Sequence, residues 1–214
     1  MQKNVFFGAV GACVLLSVSS ALGATITNGS FEQPGTGFRT VQPGQTWGNW
    51  TCSGPNGIEF VDINGNASLP GLSQSGYDGN YWIDLTGVGA PSGIYQDVAT
   101  VSGQQYRIDF AMAGNIWSGA QLMRLRVNWN GAEVGLFEHN TAGHTGANFG
   151  WTLRSVFVTG TGGADRLEFR GLTGSAAAGV ALDAVSIHDV PATAGAAVIV
   201  AGSLLGLRRR RGSW

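Results

Sequence analysis

From residue 57 to residue 188 apolar and polar positions alternate with a period of two, and no stretch keeps a helical period. Alternation of that kind sends successive side chains to opposite faces of a strand. It predicts strands over 57–63, 80–86, 93–100, 105–113, 121–129, 133–139, 151–159, 166–172 and 180–188, with 24–31 opening the body. Asn130-Gly131 is the strongest hairpin signal, because both residues accept the positive φ of a two-residue turn. A second hairpin is predicted around Thr161-Gly162-Gly163-Ala164. Eight to ten short strands with turns between them predict an all-β jelly-roll or Greek-key β-sandwich. The longest irregular regions are 33–57 and 64–76, where binding loops of a sandwich are expected.

The two ends differ from this body. Lys3 precedes an apolar run over 5–22, and small residues around Ala21 and Ala24 offer cleavage sites. Residues 1–24 therefore read as a signal peptide forming an N-terminal signal helix. A lipid-bearing Cys13 is disfavoured, since the apolar run continues past it. At the other end Pro191 precedes an uncharged apolar run over 192–207, followed by Arg208, Arg209, Arg210 and Arg211. A C-terminal apolar helix over that run would be roughly 24 Å long at about 1.5 Å per residue, slightly short for a bilayer. Terminal arginines can snorkel, and they would hold the C-terminus in the cytoplasm with the body outside. The chain thus divides into 1–24, a body over 25–190, and a membrane tail over 191–214.

Residues 25–190 hold seven Arg, no Lys and all thirteen acids, so the body is near −6 although the whole chain is near −1. An acidic, Lys-free surface argues against nucleic acid or anionic lipid as a partner. Once Cys13 leaves with the signal, Cys52 is alone and no internal disulfide is possible. Beside Trp50, it is expected to be a buried apolar group rather than a free thiol.

Candidate chemistry is sparse. No catalytic residue is predicted. Glu59 and Asp62 are three apart on one strand, and Glu133 and Glu138 five apart, so each pair faces opposite sides. Asp84 and Asp109 could share a face across strands. His139, His144 and His188 lack metal-ligand spacing, and no G-x-S-x-G occurs. A sugar-binding reading turns on loop aromatics, since exposed rings stack on sugar C–H faces. Trp117 follows Asn115 in a Gly/Ser-rich stretch, and Trp47, Trp50 and Tyr77 lie in the irregular regions. Asn115, Gln121, Asn148 and Arg124 are candidate hydroxyl partners. Trp82, Trp129 and Trp151 lie in strands and are expected to fill the core.

Six ordered segments carry a resemblance. They are Asn28-Gly29-Ser30-Phe31-Glu32, Asp84-Leu85-Thr86-Gly87, Gly93-Ile94-Tyr95-Gln96, Asp109-Phe110-Ala111-Met112-Ala113-Gly114-Asn115, Asn148-Phe149-Gly150-Trp151-Thr152 and Ala181-Leu182-Asp183-Ala184-Val185-Ser186. This set resembles the choice-of-anchor C and DUF642 domains, which are exported β-sandwiches related to galactose-binding-like carbohydrate-binding modules. The resemblance implies a galactose-binding-like jelly roll and a polysaccharide or matrix glycan as partner. It also implies one structural Ca2+ where the first and last segments meet, held by Glu32 and Asp183. The tail resembles the PEP-CTERM sorting signal, with Pro191-Ala192-Thr193 in place of the usual Pro-Glu-Pro. That likeness implies an exosortase-type sorting protease as partner and a transient stay in the inner membrane. The body would then pass to the cell surface, outer membrane or extracellular matrix. A structural surface or matrix protein without glycan affinity is the alternative, and a glycan hydrolase a more distant one.

Overall fold

The structure is a computed structural model that describes residues 23–35, 37–62, 73–87, 89–117, 121–175 and 178–191. The candidate signal peptide, up to Leu22, and the tail after Pro191 lie outside the described residues. Thirteen strands are formed, and no helix is present among the described residues. They are β1 (Arg39–Val41), β2 (Thr46–Trp47), β3 (Trp50–Cys52), β4 (Ile58–Asp62), β5 (Tyr81–Asp84), β6 (Gly93–Ala99) and β7 (Gln105–Gly114). β8 (Leu122–Trp129), β9 (Ala132–Asn140), β10 (Thr152–Thr159), β11 (Ala164–Gly171), β12 (Gly174–Ser175) and β13 (Ala178–Asp189) follow.

Two antiparallel sheets result. The first has the order β1-β4-β5-β13-β7-β10, with β12 paired to β13. The second has the order β2-β3-β6-β11-β8-β9. The alternation explains how they close on each other. On β7, Tyr106, Ile108, Phe110 and Met112 face the second sheet, whereas Arg107 and Asp109 face away. Phe110 meets Phe169 of β11 at 5.0 Å between ring centroids, and Trp50 meets Phe31 at 5.5 Å. These contacts belong to one buried cluster running the length of the sandwich. A smaller cluster, Val61, Trp82, Ala113, Phe149 and Ala181, lies on the outer face of the first sheet and is covered by Phe38, Ile116 and Trp151.

The turns follow their residues. Asn130 and Gly131 have φ of 51° and 82° between β8 and β9, as the dipeptide predicts. Asp165 anchors the β10–β11 turn. It accepts from Thr100 Oγ1, Thr161 N and Oγ1, and Asn130 Nδ2. Burial alone would push this carboxyl up, but the four donors outweigh it and hold it at about 2.

The structure corrects two expectations. Residues 24–31 form a curled loop, not a strand, with Asn28 and Phe31 at φ of 54° and 60°. Their backbone groups turn to β13, where Val185 N donates to Gly29 O at 2.9 Å. Gly29 is required there, since a Cβ would sit 1.8 Å from Val185 O. The supposed loop over 33–57 contains β1, β2 and β3. These strands are two or three residues long, too short for alternation to register.

Candidate functional site

The β2–β3 hairpin builds the first candidate site. Gly48 and Asn49 take φ of 55° and 72° and pair Trp47 with Trp50 across a two-residue turn. Trp50 points into the core. It is completely buried, and its Nε1 donates to Asn28 O at 2.9 Å. Trp47 packs on the rim of the same core and is half-buried. β1 runs nearby, and its Arg39 places the guanidinium carbon 4.0 Å from the centroid of the Trp47 ring. Arg39, Val41, Gln45, Thr46 and Trp47 line a groove of about 320 Å³, in the size range of small-ligand sites. Gln45 Oε1 accepts from Gln42 N, and the Thr46 and Thr51 hydroxyls share a bond of 2.7 Å.

The second region is the outer face of the first sheet. Tyr77 and Trp117 are 46% and 45% exposed, large for aromatic rings. Tyr77 lies edge-on to Trp151 at 6.4 Å. Among the described residues no other ring joins Trp117. The expected site residues are therefore spread over two regions, with Trp47 in the groove and Tyr77 and Trp117 on the loops.

Trp50 is corrected as a ligand-stacking residue, because both its ring faces lie within the core. Asn115 is corrected as a hydroxyl partner. It is only 2% exposed; its Nδ2 donates to Asp84 Oδ2 and its Oδ1 accepts from Trp117 N. It fixes the start of the Trp117 loop instead. Arg124 is engaged by Glu138 at 2.8 Å, and Asn148 Oδ1 accepts from Gly150 N. Trp82 and Trp129 are buried, as expected for strand tryptophans, although Trp82 belongs to the outer cluster.

Glu32 and Asp183 converge on one loop. Glu32 Oε1 accepts from Asn80 N and Tyr81 N at 2.7 and 2.8 Å. Asp183 Oδ2 accepts from Asp78 N at 2.9 Å and Oδ1 from Ala184 N at 2.6 Å. Burial outweighs these amides and raises the Asp183 carboxyl to about 7. The first and last segments do meet here, through the Gly29–Val185 contact. No group of three or more acid, His or Cys side chains suited to a metal gathers among the described residues.

Sequence reasoning missed a further pair. Glu59 of β4 and Asp84 of β5 are direct cross-strand partners, and both are buried on the outer face. Directly opposed residues have Cβ atoms about 5 Å apart. Asp84 accepts from Thr86 N, Asn115 Nδ2 and Gly179 N. Among the described residues Glu59 has no hydrogen-bond donor. Burial, then the neighbouring Asp84, pushes Glu59 up to about 8, and burial pushes Asp84 up to about 7 against its three donors. The signal existed in the sequence only as two acids at outward positions of two strands, and pairing them required the register. Asp84 and Asp109 do share the outer face, but β13 lies between their strands. Ala113, in line with Asp84 through Ala181, is four residues from Asp109, roughly 13 Å at about 3.3 Å per residue. Cys52 is buried, as expected, and its Sγ donates to Asn56 O at 3.2 Å.

Several solved structures have a similar outline. A family 35 carbohydrate-binding module from Clostridium thermocellum aligns at 14% identity and a TM-score of 0.46, covering 72% of this chain and 100% of its own. TmCBM61 in complex with beta-1,4-galactotriose aligns at 17% identity and a TM-score of 0.48, covering 77% and 97%. CBM35 from Paenibacillus barcinonensis aligns at 16% identity and a TM-score of 0.41, covering 72% and 98%. No curated protein matches the chain. The match that identifies the sandwich is to a family model spanning residues 24–188, nearly the whole body, and on it the chain belongs to DUF642, a family described as of unknown function.

Proposed function

We propose that this chain is an exported glycan-binding protein of the bacterial surface or matrix, a non-enzymatic module of choice-of-anchor C type. The observation that carries this reading is the groove beside the β2–β3 hairpin, where an aromatic ring, an amide and a hydroxyl line one concave surface. Glycan sites combine such groups, because rings cover sugar C–H faces while amides and hydroxyls match hydroxyls. The short β2–β3 turn and the buried Trp50 fix the wall that carries Trp47. Tyr77 and Trp117 are each exposed and are further single-ring candidates for stacking.

Calcium belongs to the same proposal. The residues fit a cation in the following respects. Glu32 Oε2 has no donor among the described residues, and Asp183 is fully buried with no ion-pair partner among them. With two side-chain carboxylates, the remaining ligands would be backbone carbonyls, which calcium accepts. Bound there, the ion would tie the 28–33 loop to β13.

A polysaccharide panel measured with the full chain, in calcium and in chelator, tests both points. Trp47→Ala is expected to weaken retention at least about tenfold, because the ring forms the groove wall and carries the Arg39 guanidinium over it. Calcium is expected to raise the melting temperature in the wild type and not in Glu32→Gln. A folded protein that retains no polysaccharide would leave the structural surface-protein reading. A melting temperature indifferent to calcium would remove the ion.

The tail enters as a sorting device. Pro191 marks its start, and Arg208, Arg209, Arg210 and Arg211 would stop transfer across the inner membrane and present the cut site to an exosortase-type protease. Mass spectrometry of the protein recovered from a native-type host is expected to find a C-terminus near Pro191. Replacing the four arginines by Gln is expected to abolish that processing, and an intact C-terminus in the wild type would sink it.

A further inference from the structure

The body holds seven arginines, and six of them have polar partners. Arg166 forks onto Asp97 at 2.7 and 2.9 Å, and Arg107 pairs with Asp109 at 2.8 Å. Arg124 pairs with Glu138 and Arg126 with Glu133, both at 2.8 Å. Arg170 lies 3.8 Å from Glu168, and Arg154 donates to the Glu138 carbonyl at 3.2 Å. Arg39 differs. Among the described residues no carboxylate or carbonyl accepts from it, and its only contact of this kind is the Trp47 ring. In a body with almost twice as many acids as arginines, this is the one guanidinium left over, and it lines the groove.

The other groove groups lean the same way. Gln45 has committed its Oε1 to Gln42 N, so its Nε2 is the end left for a ligand. Unmatched donors therefore outnumber unmatched acceptors in the groove. A guanidinium stacked on an aromatic face is held in a plane, and its N–H edge stays free. That is the geometry that grips a carboxylate with two parallel hydrogen bonds.

We infer that the Arg39–Trp47 groove takes the carboxylate of an acidic saccharide, a uronate-type residue of a polysaccharide. The inference rests on the glycan-binding reading and narrows it to a charged class. Arg39 binds the carboxylate, Gln45 donates to a neighbouring hydroxyl, and Trp47 is a positioning residue that holds the guanidinium plane. The net negative body opposes the long-range approach of a polyanion. At physiological salt that repulsion fades beyond about 8 Å, and the local contact decides.

The test uses the full chain and one polymer in two forms, a polyuronate such as alginate and the same polymer with its carboxyls reduced to alcohols. Both are run in affinity gels at physiological salt with chelator present, so that no calcium gel forms. The wild type is expected to be retained at least about tenfold more strongly by the polyuronate, the scale of one charge-assisted bidentate contact. Arg39→Gln is expected to remove that preference, so that the two forms are retained equally. Arg39→Lys should recover it only in part, because a point charge lacks the fork. Arg39 is exposed on the edge strand β1, so these variants should fold as the wild type does. Equal retention on both forms, unchanged in Arg39→Gln, would overturn the acidic-sugar inference and leave glycan binding standing. No retention on either form in chelator, and none on any neutral polysaccharide with calcium present, would overturn both.

Discussion

Glu59→Gln is expected to stabilise the protein at pH 8 and to leave it nearly unchanged at pH 4. The buried carboxyl of Glu59 faces Asp84 across the β4–β5 pair and has no hydrogen-bond donor among the described residues. Desolvation, then the Asp84 charge, pushes it from 4.5 to about 8. A carboxyl raised in this way keeps its proton in the folded state after the unfolded chain has lost it. The folded state then binds more protons, so stability is greatest below about pH 4 and falls as pH rises toward 8. A neutral amide of the same shape escapes that loss. Each unit of separation corresponds to about 1.4 kcal/mol, so the gain at pH 8 is at most roughly 4 kcal/mol. For a chain of this size that is on the order of 10 °C in melting temperature. Asp84 and Asp183, both raised to about 7, contribute the same sign and keep a residual slope in the variant. Melting curves from pH 4 to 8 decide the matter. A variant that is no more stable than wild type at pH 8 would show that Glu59 ionises freely in the fold.

Trp50→Ala should be the most damaging single substitution among Trp47, Trp50, Tyr77 and Trp117. The ring is fully buried between Phe31 and Phe169, at 5.5 and 6.2 Å. Truncating a buried Trp costs about 3–5 kcal/mol in lost transfer energy and cavity formation. The Asn28 carbonyl also loses one of its two donors and keeps Phe31 N, which adds at most about 1 kcal/mol. Trp50→Phe should fall between wild type and Ala in denaturant unfolding, and it should keep whatever glycan affinity the wild type has. Loss of affinity in a stable Trp50→Phe protein would return Trp50 to the binding site and contradict its place in the core.

The long strands were legible because they alternate over seven or more residues. β7, β8, β10, β11 and β13 fall within a few residues of their predicted bounds. The Asn130-Gly131 turn was legible for a local reason, since two positive-φ residues leave few other conformations. β2 and β3 show no alternation, yet Trp47-Gly48-Asn49-Trp50 contains a comparable turn signal, two permissive residues between two large apolar ones. What hid them was length, since two or three residues cannot display a period.

The candidate site was less legible than the fold. Loop position suggested exposure for Trp47, Trp50, Tyr77 and Trp117 alike, and the structure separates them. One residue of the β2–β3 pair fills the core while its neighbour edges the groove, a distinction set by which sheet packs behind the hairpin. Asn115 looked like a surface amide until Asp84, thirty-one residues away, became its acceptor.

By itself, the sequence determined the all-β class, the main strands, the acidic and Lys-free stretch over 25–190 and Cys52 as the one cysteine within that stretch, because each depends on neighbours along the chain or on simple counts. Only the tertiary structure decided that Glu59 faces Asp84, that Arg39 lies unpaired over Trp47, and that Glu32 and Asp183 meet on one loop. Those three facts depend on register and on contacts between distant segments. Period-two alternation tells which face a side chain takes, and only strand pairing tells which partner it meets there.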